Sequence, residues 1–219
     1  MSRALILVDV QPTFCEGGAL PVEGGNAVAQ RIADYVGGHR DEYSLVVTTQ
    51  DWHINPGGHF STTPDFVDTW PPHGVAGSEE ADLHPALSEV AVDVSVKKGQ
   101  FEAAYSGFEG VTDEGDHLAD ILREKGITAV DVVGLAESHC VCETALDAVG
   151  YGFPARVLLD LTEPVTEELG ALARARMAEA GVELTLSADA DAVWAGAEWS
   201  DADELPIDAT RPADDFPAS

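Results

Sequence analysis

Ala4-Leu5-Ile6-Leu7-Val8 is apolar at every position, and the run stops at Asp9. Successive side chains of a strand point to opposite faces of its sheet, so a strand with one wet face alternates apolar and polar residues. An unbroken run predicts instead a central parallel strand covered on both sides. Leu45-Val46-Val47-Thr48-Thr49 reads as a second strand, and Val90, Val92, Val94 and Val96 alternate toward a third that ends at Lys97-Lys98-Gly99. Residues 129–133, 156–159 and 182–186 supply three more. Helical patterns fall between them. One starts at about Asn26 as N-cap, with Val28, Ile32, Tyr35 and Val36 on one stripe, and another covers 116–125. A third begins around His139 behind Ser138 as its cap, and a fourth covers 166–180. Strands alternating with helices predict an α/β fold: a three-layer α/β/α sandwich with a mainly parallel, Rossmann-like central sheet. Gly24-Gly25 reads as a turn, not a dinucleotide fingerprint, and no segment repeats.

A chain of 219 residues is long enough for one such domain and short for two. The expected domain covers residues 1–187. An extension rich in Ala, Asp and Glu covers 188–219, with a short helix over 189–194 packing on the domain and the rest solvated. Forty acidic residues against eleven basic ones give a net charge of −29, dispersed along the whole chain. That charge argues against nucleic acid or an anionic membrane surface as partner. Dispersed acidity over an ordinary core points to a halophilic cytosol, because molar salt cuts the Debye length to about 3 Å. Cys15, Cys140 and Cys142 are too few, and odd in number, for a disulfide framework. No apolar run reaches membrane-spanning length, and the one at 4–8 is too short for a secretory leader. A cytoplasmic protein is expected, and self-association is compatible with all of this.

In an open parallel sheet, ligands bind beyond the carboxyl ends of the strands. Four of the expected strands end there in reactive side chains: Asp9, then Asp51 with His53, then Lys97 or Lys98, then Cys140. Asp51 and His53 stand two apart and share a face of an extended chain. Pro56-Gly57-Gly58 lets the backbone reverse and return His59, and His73 follows soon after. Carboxylate and imidazole without thiolate suit Zn(II), Fe(II) or Mn(II) in an open site, not a closed structural zinc. A lone loop histidine would be unremarkable, but four candidate ligands at one strand end are not. Cys140 at the start of a helix gains thiolate character from the backbone N–H groups and a nearby lysine. Asp9 is placed to take its proton and return it to a leaving amine. Cys142, two residues along, faces elsewhere and reads as packing. Pattern alone does not separate Lys97 from Lys98, although Lys98 shares the face of Val94 and Val96.

Val8-Asp9-Val10-Gln11, the Asp51/His53/His59 cluster, Lys98-Gly99 and the run from Gly134 to Val141 together resemble the nicotinamidases among the isochorismatase-like cysteine hydrolases. The likeness covers residues 4–186 in order and includes Trp70-Pro71-Pro72-His73 and Ala104-Tyr105-Ser106-Gly107. It implies metal-dependent hydrolysis of nicotinamide to nicotinate and ammonia through a thioester, within NAD metabolism. It implies Asp9, Lys98 and Cys140 as the catalytic triad and Asp51, His53, His59 and His73 as ligands of a divalent ion, zinc first, with iron or manganese as alternatives. It further implies Ala136 and Cys140 as the oxyanion hole, Phe14, Trp70 and Tyr105 as the substrate wall, and a cis peptide at Leu135–Ala136. A related amidase for ureido or carbamoyl substrates would use the same triad, but the full metal cluster favours a pyridine amide. Isochorismate cleavage has no need of Cys140, and a non-catalytic metal-binding module has no need of the triad.

Overall fold

The computed structural model describes residues 2–190. Six strands form one sheet: β1 (Arg3–Val8), β2 (Leu45–Asp51), β3 (Val94–Lys98), β4 (Ala129–Leu135), β5 (Ala155–Glu163) and β6 (Glu183–Thr185). Their order is β3-β2-β1-β4-β5-β6, and every pairing is parallel. Four helices connect them: α1 (Gly25–His39), α2 (Leu118–Glu124), α3 (Cys142–Gly150) and α4 (Glu167–Glu179). The strand order turns back on itself between β1 and β4. That reversal splays the loops beyond their carboxyl ends and opens a crevice there.

The opening run behaves as its composition requires. Ala4, Ile6 and Val8 face a core completed by Leu118, Leu122, Ala145 and Met177 from α2, α3 and α4. Leu5 and Leu7 face the other core, filled by Val28, Ile32 and Val36 of α1. Burying each such Leu, Ile or Val is worth about 1.5–3 kcal/mol, so β1 is stabilised from both layers at once.

Several boundaries differ from the expected ones. Val90 and Val92 precede β3 rather than belong to it. The Val90 N–H closes a 3-10 turn on Leu87 O, and Asp93 then binds the Val46 N–H through its carboxylate. Asn26 does not cap α1. Glu16 does so from eight and ten residues away, accepting the Gly24 and Asn26 N–H groups at 2.7 and 2.8 Å. Nor does Ser138 cap a helix. It lies inside a π-helical turn, Glu137–Val141, that leads into α3.

Below the sheet, fully buried Asp131 takes two hydrogen bonds from Arg156, at 3.0 and 2.7 Å, and one from Tyr43 at 2.8 Å. Arg156 also donates to the carbonyl of Ala190, which is itself buried. Of the helix expected over 189–194, only the first two residues are described, after a 3-10 turn at Ser187–Asp189, and Trp194 lies outside the described residues. Among the described residues no helix is long and apolar enough to cross a membrane.

Candidate active site

The carboxyl ends of β3, β2, β1 and β4 stand side by side, and each carries an expected group. Lys98 ends β3 directly opposite Asp51, the last residue of β2. Asp9 follows β1 with a φ of 47°, its N–H donating to Thr49 O at 3.1 Å. The Thr49 hydroxyl in turn donates to Asp9 Oδ1 at 2.6 Å. Cys140 arrives from β4 on the π-helical turn.

Lys98 is 1% exposed, and an ammonium that deep needs counter-charge. Its Nζ lies 2.9 Å from Asp9 Oδ2, hydrogen bonds Asp51 Oδ1 and Ala104 O, and stands 3.8 Å from Cys140 Sγ. Lys97 points to the surface and pairs with Asp113 at 2.8 Å, so the choice between the two lysines falls on Lys98.

Burial opposes the charge of Lys98, yet Asp51 and Asp9 overcome it and hold the ammonium well above the ordinary lysine range. Burial likewise opposes the charge of Asp51, but Lys98 overcomes it and keeps the carboxyl well below the usual carboxylate range. For Asp9, burial prevails over Lys98, and the neighbouring Asp51 adds to it, so its carboxyl is pushed up. Two carboxylates on one lysine are thus driven apart, one firmly ionised and the other a stronger base. Cys140 is pushed well above the ordinary thiol range, first by burial, against the pull of Lys98. The helix start expected to favour a thiolate is a π-helical turn leading into α3, and burial there outweighs Lys98 and favours the thiol.

Beside this cluster three buried imidazoles converge. His53, His59 and His73 each offer a ring nitrogen within 4.8 Å of the others. His53 Nδ1 is bonded to Gly99 O at 2.6 Å and His73 Nδ1 to Pro71 O at 2.8 Å. These carbonyls fix the proton on Nδ1 of each ring, leaving both Nε2 lone pairs facing each other at 3.3 Å. Two such lone pairs repel unless a cation sits between them. Asp51 Oδ2 lies 3.5 Å from each of those nitrogens and supplies negative charge. Burial pulls His59 down to about 4, which keeps its imidazole neutral. Gly99, at a φ of 69°, makes room, since a Cβ there would lie 2.5 Å from the His53 ring. The donor set fits a divalent ion with open positions.

A cavity of about 300 Å³ opens over both clusters. Cys140, Ala136, Asp51, His59 and His73 form its floor, and Phe14, Trp70 and Tyr105 stand in its walls. Trp70 Nε1 donates to Tyr105 Oη at 3.0 Å, which ties two walls together. The Leu135–Ala136 peptide is cis, and the N–H groups of His139 and Val141 both donate to Ala136 O. Cys142 is buried against α4 and Cys15 against Gly25 at the start of α1, and neither lines the cavity.

Sequence reasoning did not select several residues. Thr49 holds Asp9. Gln11 clamps Asp51 from both sides, donating to its carbonyl at 3.0 Å and accepting its N–H at 2.9 Å. Glu137 and Ser138 brace the turn that carries Cys140. Phe66 packs its edge on Trp70 at the cavity mouth, with ring centroids 6.0 Å apart. Gln11 stands two residues beyond Asp9, and that spacing was the one available signal.

A family model described as "Isochorismatase domain" matches residues 3–189. The nicotinamidase/pyrazinamidase of Mycobacterium tuberculosis is 51% identical over 185 residues, which is 84% of this chain and 99% of that one. The crystal structure of PnC1 from L. infantum in complex with nicotinate superposes with a TM-score of 0.74 at 35% identity, covering 85% of this chain and 93% of that one. The pyrazinamidase of Pyrococcus horikoshii in complex with zinc gives a TM-score of 0.71 at 34% identity, over 85% and 99%.

Proposed function

The chain belongs to the isochorismatase-domain family, and from that premise we propose that it is a nicotinamidase. It hydrolyses nicotinamide to nicotinate and ammonia with Cys140 as nucleophile, in the service of NAD salvage in the cytoplasm. One observation carries the reading: the Lys98 ammonium touches Asp9 at 2.9 Å and reaches Cys140 Sγ at 3.8 Å, beside three convergent imidazoles. The residues after 187 add an acidic extension to the catalytic domain.

Asp9, its basicity raised by burial, takes the proton of the Cys140 thiol, and Lys98 stabilises the sulfur anion as it forms. The sulfur attacks the amide carbon. Backbone N–H groups of Ala136 and Cys140 receive the oxyanion of the tetrahedral intermediate, where fixed dipoles act at no reorganisation cost. Asp9 then returns the proton to the leaving nitrogen, and ammonia departs from the thioester. Water activated by Asp9 cleaves the thioester, releasing nicotinate and restoring the thiol. Phe14, Trp70 and Tyr105 hold the flat ring between them. A divalent ion, zinc in the first instance, held by Asp51, His53, His59 and His73, would supply a Lewis-acidic contact for the pyridine nitrogen.

Purified protein with nicotinamide and zinc should yield ammonia and nicotinate in equal amounts. An N-carbamoyl substrate turned over in its place, with nicotinamide untouched, would replace this reading by that of a ureido amidase. Chelation should lower the nicotinamide rate at least about a hundredfold, since Lewis-acid polarisation is worth several kcal/mol. Zinc should restore it. A rate that survives with metal analysis reading zero removes the ion from the chemistry.

The charge of −29 has its own consequence. Self-repulsion among dispersed surface carboxylates is screened in concentrated salt and strong in dilute buffer. The melting temperature should climb steeply between 0.1 and 2 M KCl, on the scale of about 10 °C or more. Equal melting curves at both salt concentrations would contradict adaptation to a saline interior.

A further inference from the structure

We infer that Glu137 is a positioning residue for this reaction, acting through an ion pair with Arg174, buried at its carboxylate end, that fixes the turn bearing Cys140. The inference rests on the proposed function for its kinetic arm. Glu137 opens the turn between β4 and α3 and is 2% exposed. Its Oε2 accepts from the Thr162 hydroxyl of β5 at 2.7 Å, and its Oε1 accepts from Arg174 Nη1 of α4 at 2.7 Å. Arg174 also bonds Glu167 at the start of α4. The helix comes in close at this point: a Cβ on Gly170 would lie 3.1 Å from Glu137 Oε1 and 2.8 Å from Pro164.

The turn needs such a brace. His139 and Val141 both direct their N–H groups at one carbonyl, that of Ala136, at 3.0 and 3.2 Å, with Cys140 between them. A wide turn of this kind lacks the regular α-helical ladder within itself, so side chains help to fix its shape. Glu137 does so toward β5 and α4, and Ser138 toward the loop, accepting the Val165 N–H at 3.2 Å. A buried ion pair is a poor way to gain stability but a good way to specify geometry. The quantity at stake is the 3.8 Å between Cys140 Sγ and Lys98 Nζ. Small displacements at a reacting atom cost rate rather than affinity.

Glu137→Gln keeps the shape and the bond to Thr162 while removing the charge. Arg174→Gln removes the other partner, which is partly exposed, and decides the matter should the first variant not fold. Each should lower kcat on nicotinamide about tenfold with KM within about twofold of wild type. The double variant should be no worse than either single, as one shared interaction requires. Alkylation of Cys140 by iodoacetamide, followed by mass spectrometry of its peptide, should slow about tenfold in both, because the sulfur drifts from Lys98. Glu143→Gln breaks the neighbouring α3–α4 pair with Arg176 and should change neither readout. Wild-type kcat and alkylation rates in both variants, or an equal loss in Glu143→Gln, would overturn the assignment. Should the wild-type protein leave nicotinamide intact, the functional reading falls while the alkylation rates still test the brace.

Discussion

Cys140→Ala should abolish ammonia release from nicotinamide, while Cys142→Ala and Cys15→Ala should keep it. All three thiols are buried, so burial does not separate them. Their surroundings do. Cys140 has an ammonium 3.8 Å away and a base next to that ammonium, whereas Cys142 faces the Ala173 carbonyl at 3.9 Å. Burial with nearby acidic charge pushes both Cys142 and Cys15 up to about 11. At Cys142 the Arg176 guanidinium pulls the other way without prevailing, and at Cys15 no cation among the described residues opposes burial. Removing a nucleophile that works as a unit with its base costs at least about 10⁴-fold in kcat. Removing a packing thiol costs about 1 kcal/mol of stability and little rate. Initial rates of the three variants, with mass spectrometry of the acylated wild-type protein, settle the matter. Full activity in Cys140→Ala would falsify the nucleophile assignment.

Lys98→Met should be the most damaging single change to the fold as well as to turnover. Methionine fits the volume but leaves Asp9 and Asp51 buried around one lost cation. Breaking a buried pair from one side costs about 3–5 kcal/mol, because the partner keeps its desolvation without its compensation. Here two carboxylates are stranded at once, and the Ala104 carbonyl loses its donor. Ammonia release should fall below detection, since the developing sulfur anion loses its counter-charge. Urea denaturation of the variant measures the stability loss directly. A midpoint equal to that of wild type would mean that Lys98 is not the hub that its contacts describe.

Much of this was legible because it is local. Ala4 to Val8 announces a strand buried on both sides, and the structure divides its residues between the two cores. Asp9, Asp51, Lys98 and Cys140 could be placed because strand ends in a parallel sheet share one edge. What escaped was long-range. Asp131 and Arg156 read as ordinary strand charges, yet each exists as the other's partner across β4 and β5. Thr49 looks like a β-former, and only the fold brings its hydroxyl to Asp9. Ser138 has the right chemistry for a cap, but Val165 claims its oxygen. At Asn26 the cap comes from Glu16, and no rule of adjacency locates it. Val90 and Val92 misled for the opposite reason: their alternation continues a pattern past the point where hydrogen bonding begins.

The strand order has one more consequence, for how the chain comes to be made. β1 precedes the other five strands in the chain, and β2 can cover one of its sides early. Its other side waits for β4, whose Ala129 pairs opposite Arg3. Until β4 is made, this strand, apolar from Ala4 to Val8, therefore presents a bare row of amides and carbonyls. Another nascent chain carrying the same strand can bind there as readily as the proper neighbour. The centre of the sheet is closed only after the edge formed by β2 and β3 is already in place.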